Sequence, residues 1–273
     1  MRLLTISAAL GAAGLLCLVC ITAFLPRFAP PMLIVAHRGD VANWPENTLE
    51  GIVAAASSGA PGIEIDVLPS ADGTWYAIKM HDVSTRTDGI GQFMSLHDEE
   101  VASLRITAGL GYRASVHGDR LRVPRVDDVV RALADYEGVL MFDVKSPFAG
   151  DHAAFARLIA ESELLADTRM ICLNLEGADA VKEVDPAIHT SVLSFVTSEP
   201  ARYASVDAWL ANARTEIRWP FSVWVHPPGS VEAFVNETDL GDERELLDNA
   251  NRWDVSVFIT NDLARALAWQ ADQ

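Results

Sequence analysis

The side chains able to do chemistry recur at matching places along the chain. His37-Arg38-Gly39 follows the apolar run at 33–36. Glu64 and Asp66 close the next such run two positions apart, so on a strand both carboxylates leave the same face. His81-Asp82 ends a third run, and Asp143 and Lys145, again two apart, end a fourth. Two carboxylates forced to one side of a buried strand are costly unless a cation neutralises them. A divalent metal is the simplest cation for the task, and an all-oxygen pair suits Mg2+ or Ca2+ better than zinc. One ring of strand ends would gather two histidines, three acids, Arg38 and Lys145. A structural salt-bridge network explains any one of these residues, but is a poor account of four consecutive strand ends.

These residues need a frame that carries them to one end of the molecule. Runs with strand character lie at 33–36, 63–67, 75–79, 139–144, 170–174, 189–195, 221–225 and 255–259. Between many of them the spacing predicts helices over 48–57, 126–136, 151–163, 176–184, 200–213, 242–251 and 262–270. Strands alternating with helices imply a parallel sheet. Eight such strands in about 245 residues predict an α/β fold of the closed (β/α)8, or TIM, barrel type. No Gly-x-Gly-x-x-Gly or Walker pattern opens a helix, which argues against an open doubly wound sheet. In a barrel the chemistry sits at the C-terminal strand ends, where the residues above fall. Residues 83–123 break the rhythm, with Gly89, Gly91, Gly109, Gly111 and Gly118 and only a short helical piece near 96–104. They predict an insertion after the third strand, over the barrel mouth.

Half of the 273 residues are hydrophobic, and acids outnumber bases 38 to 21, for a formal net charge of −17. That balance argues against a nucleic-acid binder, because no pool of cations is present to neutralise a phosphate backbone. One small phosphate in a pocket remains compatible, since a local cation outweighs a distant field. Three cysteines exclude a disulfide scaffold, no Cys/His spacing resembles a zinc site, and Cys172 reads as a buried thiol. Residues 5–25 form a run of 21 without a charge. As a helix it would be about 31 Å long, which matches a hydrocarbon core. Arg2 precedes it and Pro26-Arg27 ends it. The expectation is an N-terminal transmembrane signal-anchor over 1–30, with the body, 31–273, outside the cytoplasm. The other reading is a signal peptide cleaved on secretion, although 22–28 offers no clean small-x-small site. No protein partner is indicated.

Several of these motifs resemble the glycerophosphodiester phosphodiesterases, a family of the PLC-like phosphodiesterase barrel superfamily. The resemblance opens with His37-Arg38-Gly39 and, five residues on, Pro45-Glu46-Asn47-Thr48. It continues through Gly62-Ile63-Glu64-Ile65-Asp66-Val67, Asp72-Gly73, His81-Asp82 and Arg86-Thr87-Asp88-Gly89 with Gly91. Shorter matches are Val123-Pro124-Arg125-Val126-Asp127-Asp128-Val129, Phe142-Asp143-Val144-Lys145, Ser222-Val223-Trp224 and Ile259-Thr260-Asn261-Asp262. The match spans about 35–263 and is densest in its first fifty residues. Two departures stand out. The family usually has Glu where Asp143 stands, one methylene longer, and the segment Val225-His226-Pro227-Pro228 replaces a Thr-Val-Asn type stretch.

The resemblance implies metal-dependent hydrolysis of glycerophosphodiesters to glycerol 3-phosphate and an alcohol. It implies acid and base roles for His37 and His81, in an order the sequence leaves open. It implies a divalent metal, Mg2+ or Ca2+, on Glu64, Asp66 and Asp143. Arg38 and Lys145 would hold the phosphate and Trp224 would pack against the glycerol or headgroup. Glu46 would orient a histidine or touch the metal. His97, His117 and His152 read as exposed loop or helix-start residues, and His226 as the one further histidine near a site. The membrane anchor leaves room for a second activity on the same barrel, a phospholipase D-like or lysophospholipase D action on membrane lipids. A non-catalytic binding barrel would have lost a histidine or a metal ligand, and here both histidines and three carboxylates stand.

Overall fold

Leu33–His37 (β1) lies between two parallel partners, Gly62–Pro69 (β2) on one side and Val257–Thr260 (β9) on the other, so the first and last strands of the chain are neighbours. The computed structural model describes residues 31–162, 168–193, 206–212, 231–235, 243–252 and 255–273. From β2 the parallel order continues through Val139–Val144 (β4), Arg169–Cys172 (β5), His189–Leu193 (β6), Ala208–Asn212 (β7) and Val231–Phe234 (β8) to β9. The sheet thereby closes into the eight-stranded barrel that the alternation of strands and helices predicts.

One expected barrel strand has a different place. Trp75–Ala77 (β3) pairs antiparallel with the outer end of β2, Val67 opposite Ala77 and Pro69 opposite Trp75. The connection explains it. The turn at Ser70–Thr74 is closed by Ser70 N–H donating to the Thr74 carbonyl and Gly73 N–H to the Ser70 carbonyl, with Gly73 at φ +80°. A turn that short can join only antiparallel strands, because a parallel neighbour needs a crossover of a dozen residues. The third position of the barrel is therefore taken by β4. Two further strands differ from expectation. Residues 208–212 form β7 rather than the end of a helix over 200–213, and β8 was not foreseen. The expected strand at 221–225 lies outside the described residues.

Helices cover the outer faces of the strands. Leu49–Ser57 (α1) starts at Thr48, whose Oγ1 accepts the Gly51 N–H at 3.2 Å, a conventional N-cap. Val126–Ala132 (α4), Ala149–Ala160 (α5), Leu175–Val184 (α6), Arg244–Arg252 (α7) and Leu263–Ala271 (α8) follow, the last capped by Asp262. Their apolar faces and the outward residues of the strands make the main core, with Ile52, Phe142, Phe155, Val181 and Phe258 fully buried. The barrel interior has its own smaller layer, Val35, Met141, Ile171, Leu210, Val257 and Ile259. No helix among the described residues is long and apolar enough to cross a membrane, and residues 1–30 lie outside them.

The insertion over 83–123 follows β3. It contains two 3-10 turns and two short helices, Asp98–Ser103 (α2) and Ala114–His117 (α3). It packs Val83, Phe93, Val101, Leu104, Ile106 and Leu121 on Leu68, Tyr76 and Ile78, a core separate from the other two. His117 is buried here rather than exposed, because its Nε2 donates to the Asn43 carbonyl and its Nδ1 accepts the Arg113 N–H. His152 is buried as well, donating Nε2–H to the Ser146 carbonyl, and burial lowers its pKa. His97 is exposed as expected and rests on Asp72.

A second charged cluster occupies the barrel interior toward the N-terminal strand ends. Glu232 is fully buried there. Its Oε1 accepts from Arg169 at 3.2 Å and from His189 Nε2 at 3.3 Å, and its Oε2 accepts from Ser191 Oγ at 2.6 Å.

Candidate active site

The turn after β1 sets the first half of the site. Arg38 adopts φ +60° and Asn47 φ +56°, a left-handed conformation that costs a residue with a Cβ about 1 kcal/mol or more. Three contacts hold it. Arg38 N–H donates to the Glu64 carbonyl at 3.0 Å and to Glu64 Oε2 at 3.1 Å, and Asn47 N–H donates to the Arg38 carbonyl at 3.0 Å. Gly39, at φ +92°, lets the backbone of α1 approach, since a methyl group there would stand 2.7 Å from the Gly51 carbonyl carbon. Asn47 then reaches β2, donating Nδ2–H to Asp66 Oδ2 at 2.9 Å and accepting the Asp66 N–H at 3.1 Å.

Strand parity does the rest. Glu64 and Asp66 on β2 and Asp143 on β4 point inward, and the register pairs Asp66 with Asp143. One oxygen from each of the three lies within 4.8 Å of the others, and all three residues are buried. Lys145 bridges two of them, with Nζ 2.8 Å from Asp66 Oδ1 and also on Asp143 Oδ2. Arg38 Nε stands 2.8 Å from Asp66 Oδ2, and its Nη1 pairs with Glu46.

The electrostatics separate the three carboxylates. Asp66 is held far below the ordinary carboxylate range despite its burial, because Arg38 and Lys145 converge on it and Asn47 donates to it. Glu64 is pushed well up by burial and by the charges of Asp66 and Asp143, and Asp143 is pushed up chiefly by burial. Asp143 Oδ1 is buried with no hydrogen-bond partner. A group of hard oxygen donors in which two members disfavour ionisation and one keeps a lone pair unused fits a divalent cation.

His37 ends β1, buried, with Nδ1 2.7 Å from Asn261 Oδ1 and Nε2 3.9 Å from Glu64 Oε2. An amide oxygen only accepts, so Nδ1 carries the proton and Nε2 keeps its lone pair. Burial and the neighbouring Arg38 push the His37 pKa down to about 3, so the ring is neutral at physiological pH. His81 follows β3, half-buried, and its Nε2 stands 3.0 Å from the Lys145 carbonyl oxygen. That oxygen too only accepts, so Nε2 of His81 carries a proton.

His37, Arg38, Glu64, Asp143 and Lys145 line one cavity of about 200 Å³. Ile171, Leu210, Phe234 and Ile259 make its apolar side. His81 is not among the lining residues and joins the site through Lys145. Trp224 and the segment 225–228 lie outside the described residues. Glu46 touches Arg38 rather than a histidine, and it is not part of the carboxylate group. Sequence reasoning missed two members. Lys79 lines the cavity, and its only signal was a place at the end of an apolar run. Asn261 orients His37, and its signal was the Thr260-Asn261-Asp262 triplet after the last strand.

The glycerophosphoryl diester phosphodiesterase family matches residues 37–226. Mouse glycerophosphodiester phosphodiesterase 1 is 33% identical over 161 residues, covering 58% of this chain and 47% of that protein. The glycerophosphodiester phosphodiesterase of Caldanaerobacter subterraneus is 33% identical over 114 residues, covering 42% of this chain and 45% of that one. The chain thus spans about half the length of these curated relatives. Among solved structures, a glycerophosphodiester phosphodiesterase from Agrobacterium tumefaciens superposes with a TM-score of 0.70 at 22% identity, covering 87% of this chain and 99% of that one. An Oleispira antarctica phosphodiesterase in complex with the product sn-glycerol-3-phosphate gives 0.70 at 16% identity, covering 89% and 98%. These two likenesses are of fold. The chain belongs to the glycerophosphoryl diester phosphodiesterase family.

Proposed function

We propose that this barrel hydrolyses glycerophosphodiesters to glycerol 3-phosphate and an alcohol, with Mg2+ or Ca2+ held by Glu64, Asp66 and Asp143. One observation carries the reading: Glu64 and Asp143, two members of a buried three-carboxylate group with Asp66, line the same small cavity as a neutral histidine with an open Nε2. Family membership and the names of the mouse and Caldanaerobacter relatives support it. So does the product named for the Oleispira structure.

In this reading His37 is the base. Its Nε2 takes the proton of the attacking oxygen as that oxygen bonds to phosphorus: a water gives glycerol 3-phosphate directly, whereas the glycerol hydroxyl beside the phosphate gives a cyclic phosphate that water then opens. The bond from phosphorus to the leaving alcohol breaks, and that oxygen needs a proton. His81 is the donor. It keeps its Nε2–H on the Lys145 carbonyl, and a second proton, on Nδ1, is the one given up. Arg38 and Lys145 bind the phosphate, the first as a planar fork and the second as a point charge. What the cation supplies when bound is stabilisation of charge on the phosphoryl oxygens. We further propose Trp224 as a contact for the glycerol or headgroup.

The test is release of glycerol 3-phosphate from glycerophosphocholine by the full chain in detergent, with EDTA, Mg2+ or Ca2+. Release that needs the metal supports the reading; none with either metal, from folded protein, overturns it. For localisation we propose that the uncharged run at 5–25 anchors the chain, with the barrel outside the cytoplasm. Release of the full chain from membranes by alkaline carbonate would overturn the anchor.

A further inference from the structure

We propose that Arg86, in the insertion, is a positioning residue that sets the guanidinium of Arg38 through Glu46. The inference rests on the reading that Arg38 grips the phosphate, and extends it to a part of the chain outside the cavity.

Glu46 is a buried carboxylate shared between two arginines. Its Oε2 pairs with Arg38 Nη1, and its Oε1 accepts from Arg86 Nε at 2.5 Å and from Leu110 N–H at 3.3 Å. A carboxylate is planar, so fixing one oxygen fixes the direction of the other. Burial strengthens both contacts, because water does not compete for them. The backbone joins in, with Glu46 N–H donating to the Leu110 carbonyl at 2.9 Å. The two arms of the insertion meet at the same point: the Arg86 carbonyl accepts from Thr107 N–H at 2.9 Å and Ala108 N–H at 3.2 Å. Gly109 is shaped for this closure. It adopts φ +116°, and a methyl group there would stand 2.6 Å from Glu46 Oε1 and 2.9 Å from Arg86 Cδ.

The other end of the relay is equally fixed. Arg38 is held at Nη1 by Glu46 and at Nε by Asp66. The hydrogen bond at Nη1 is the directed one and the contact at Nε is an ion pair, so Glu46 has the larger part in setting the plane of the fork, and that plane decides how it meets a phosphate. Loss of Arg86 leaves Glu46 Oε1 with only the longer Leu110 N–H contact and loosens the fork, while Glu64, Asp66 and Asp143 keep their places on β2 and β4.

The test uses the full chain in detergent and a double-mutant cycle of Arg86→Met and Arg38→Lys. Arg86→Met is expected to raise KM for glycerophosphocholine roughly tenfold, since small misplacements of a positioning group are costly. In the Arg38→Lys background it is expected to add less than about twofold, because coupled residues are not additive. Arg86→Lys, which keeps the cation without the fork, should fall between. Should Arg86→Met fail to fold, Gly109→Ala takes its place in the cycle. In parallel, the Nε–Hε NMR signal of Arg38 is expected to shift in Arg86→Met or Arg86→Lys. Additive losses, or an unmoved Arg38 signal, would overturn the relay. Failure of the wild type to release glycerol 3-phosphate would instead overturn the proposed reaction, and the NMR measurement would still decide the relay.

Discussion

His37 and Asn261 are 224 residues apart in sequence and 2.7 Å apart in the fold. They meet across the seam where β1 pairs with β9, so closing the barrel is what orients the imidazole. The chain behind Asn261 is also fixed: Glu243 accepts from the Asn261 N–H at 3.2 Å and from Thr260 Oγ1. A neutral amide behind the ring holds the tautomer and raises its basicity only through the hydrogen bond, whereas a carboxylate would add the attraction of a full charge.

Replacing Asn261 by Asp is therefore expected to raise the His37 pKa from its depressed value near 3. A base works only when unprotonated, so the acid limb of kcat/KM should move to higher pH in Asn261→Asp. The wild type should show no such limb from His37 between about pH 4 and 7. His37→Ala should lower kcat by about 10²–10⁴-fold at constant metal. A pH–rate profile of the three proteins checks both statements.

Metal should matter more for stability as pH rises. Glu64 and Asp143 have folded-state pKa values above 4.5 and 3.8, their ordinary values. Without metal the folded protein holds protons there that the unfolded chain has released, so stability falls as pH climbs from the ordinary values through the raised ones. Metal displaces those protons and reverses the loss. Melting temperatures in EDTA and in Mg2+ or Ca2+, from pH 4.5 to 7.5, should diverge with increasing pH.

Two carboxylates of the same group should respond oppositely to neutralisation. Glu64→Gln removes a charge that burial and its neighbours disfavour, so the metal-free protein should melt higher at pH 7. Asp66→Asn leaves Arg38 and Lys145 without their shared partner and should cost about 3–5 kcal/mol. Both variants should lose the metal-dependent rise in melting temperature. Denaturant titrations with and without metal separate the two effects.

At the opposite end of the barrel, Glu232→Ala strands Arg169 and His189 and leaves Ser191 without its acceptor. The loss should be about 3 kcal/mol, at the lower end for a broken buried pair because Arg169 and His189 are partly exposed. The metal-dependent rise in melting temperature should persist, since none of these residues belongs to the carboxylate group. Urea melts with and without metal test this.

Much of the site was legible because strand parity is a strong rule. Glu64 with Asp66, and Asp143 with Lys145, had to share a face, and the register of β2 against β4 brings the two pairs together. What stayed hidden depended on closure or on turn length. Asn261 reads as a helix cap neighbour until β9 meets β1. The run at 75–79 has the composition of a barrel strand, and only the tight turn before it, at Gly73, excludes a crossover. β7 was read as helix because Ala208-Trp209-Leu210 is apolar throughout, and a short apolar run carries no period of its own. β8 is hidden because Glu232 interrupts its apolar run, and the acid finds its partners, Arg169 on β5 and His189 on β6, only across the closed barrel interior.

The placing of β3 outside the barrel divides the proposed acid and base between two kinds of support. His37 belongs to the closed ring of strands, whereas His81 belongs to the segment that leads into the insertion, which has a core of its own. Regions with separate cores are the ones that open separately. Opening this one would carry off His81, Lys79 and the grip on Glu46 while β1, β2 and β4 stay paired. The molecule is thus divisible into a part that would load the proposed metal and a part that would complete the proposed machinery, so measured occupancy of the first would not report competence to turn over.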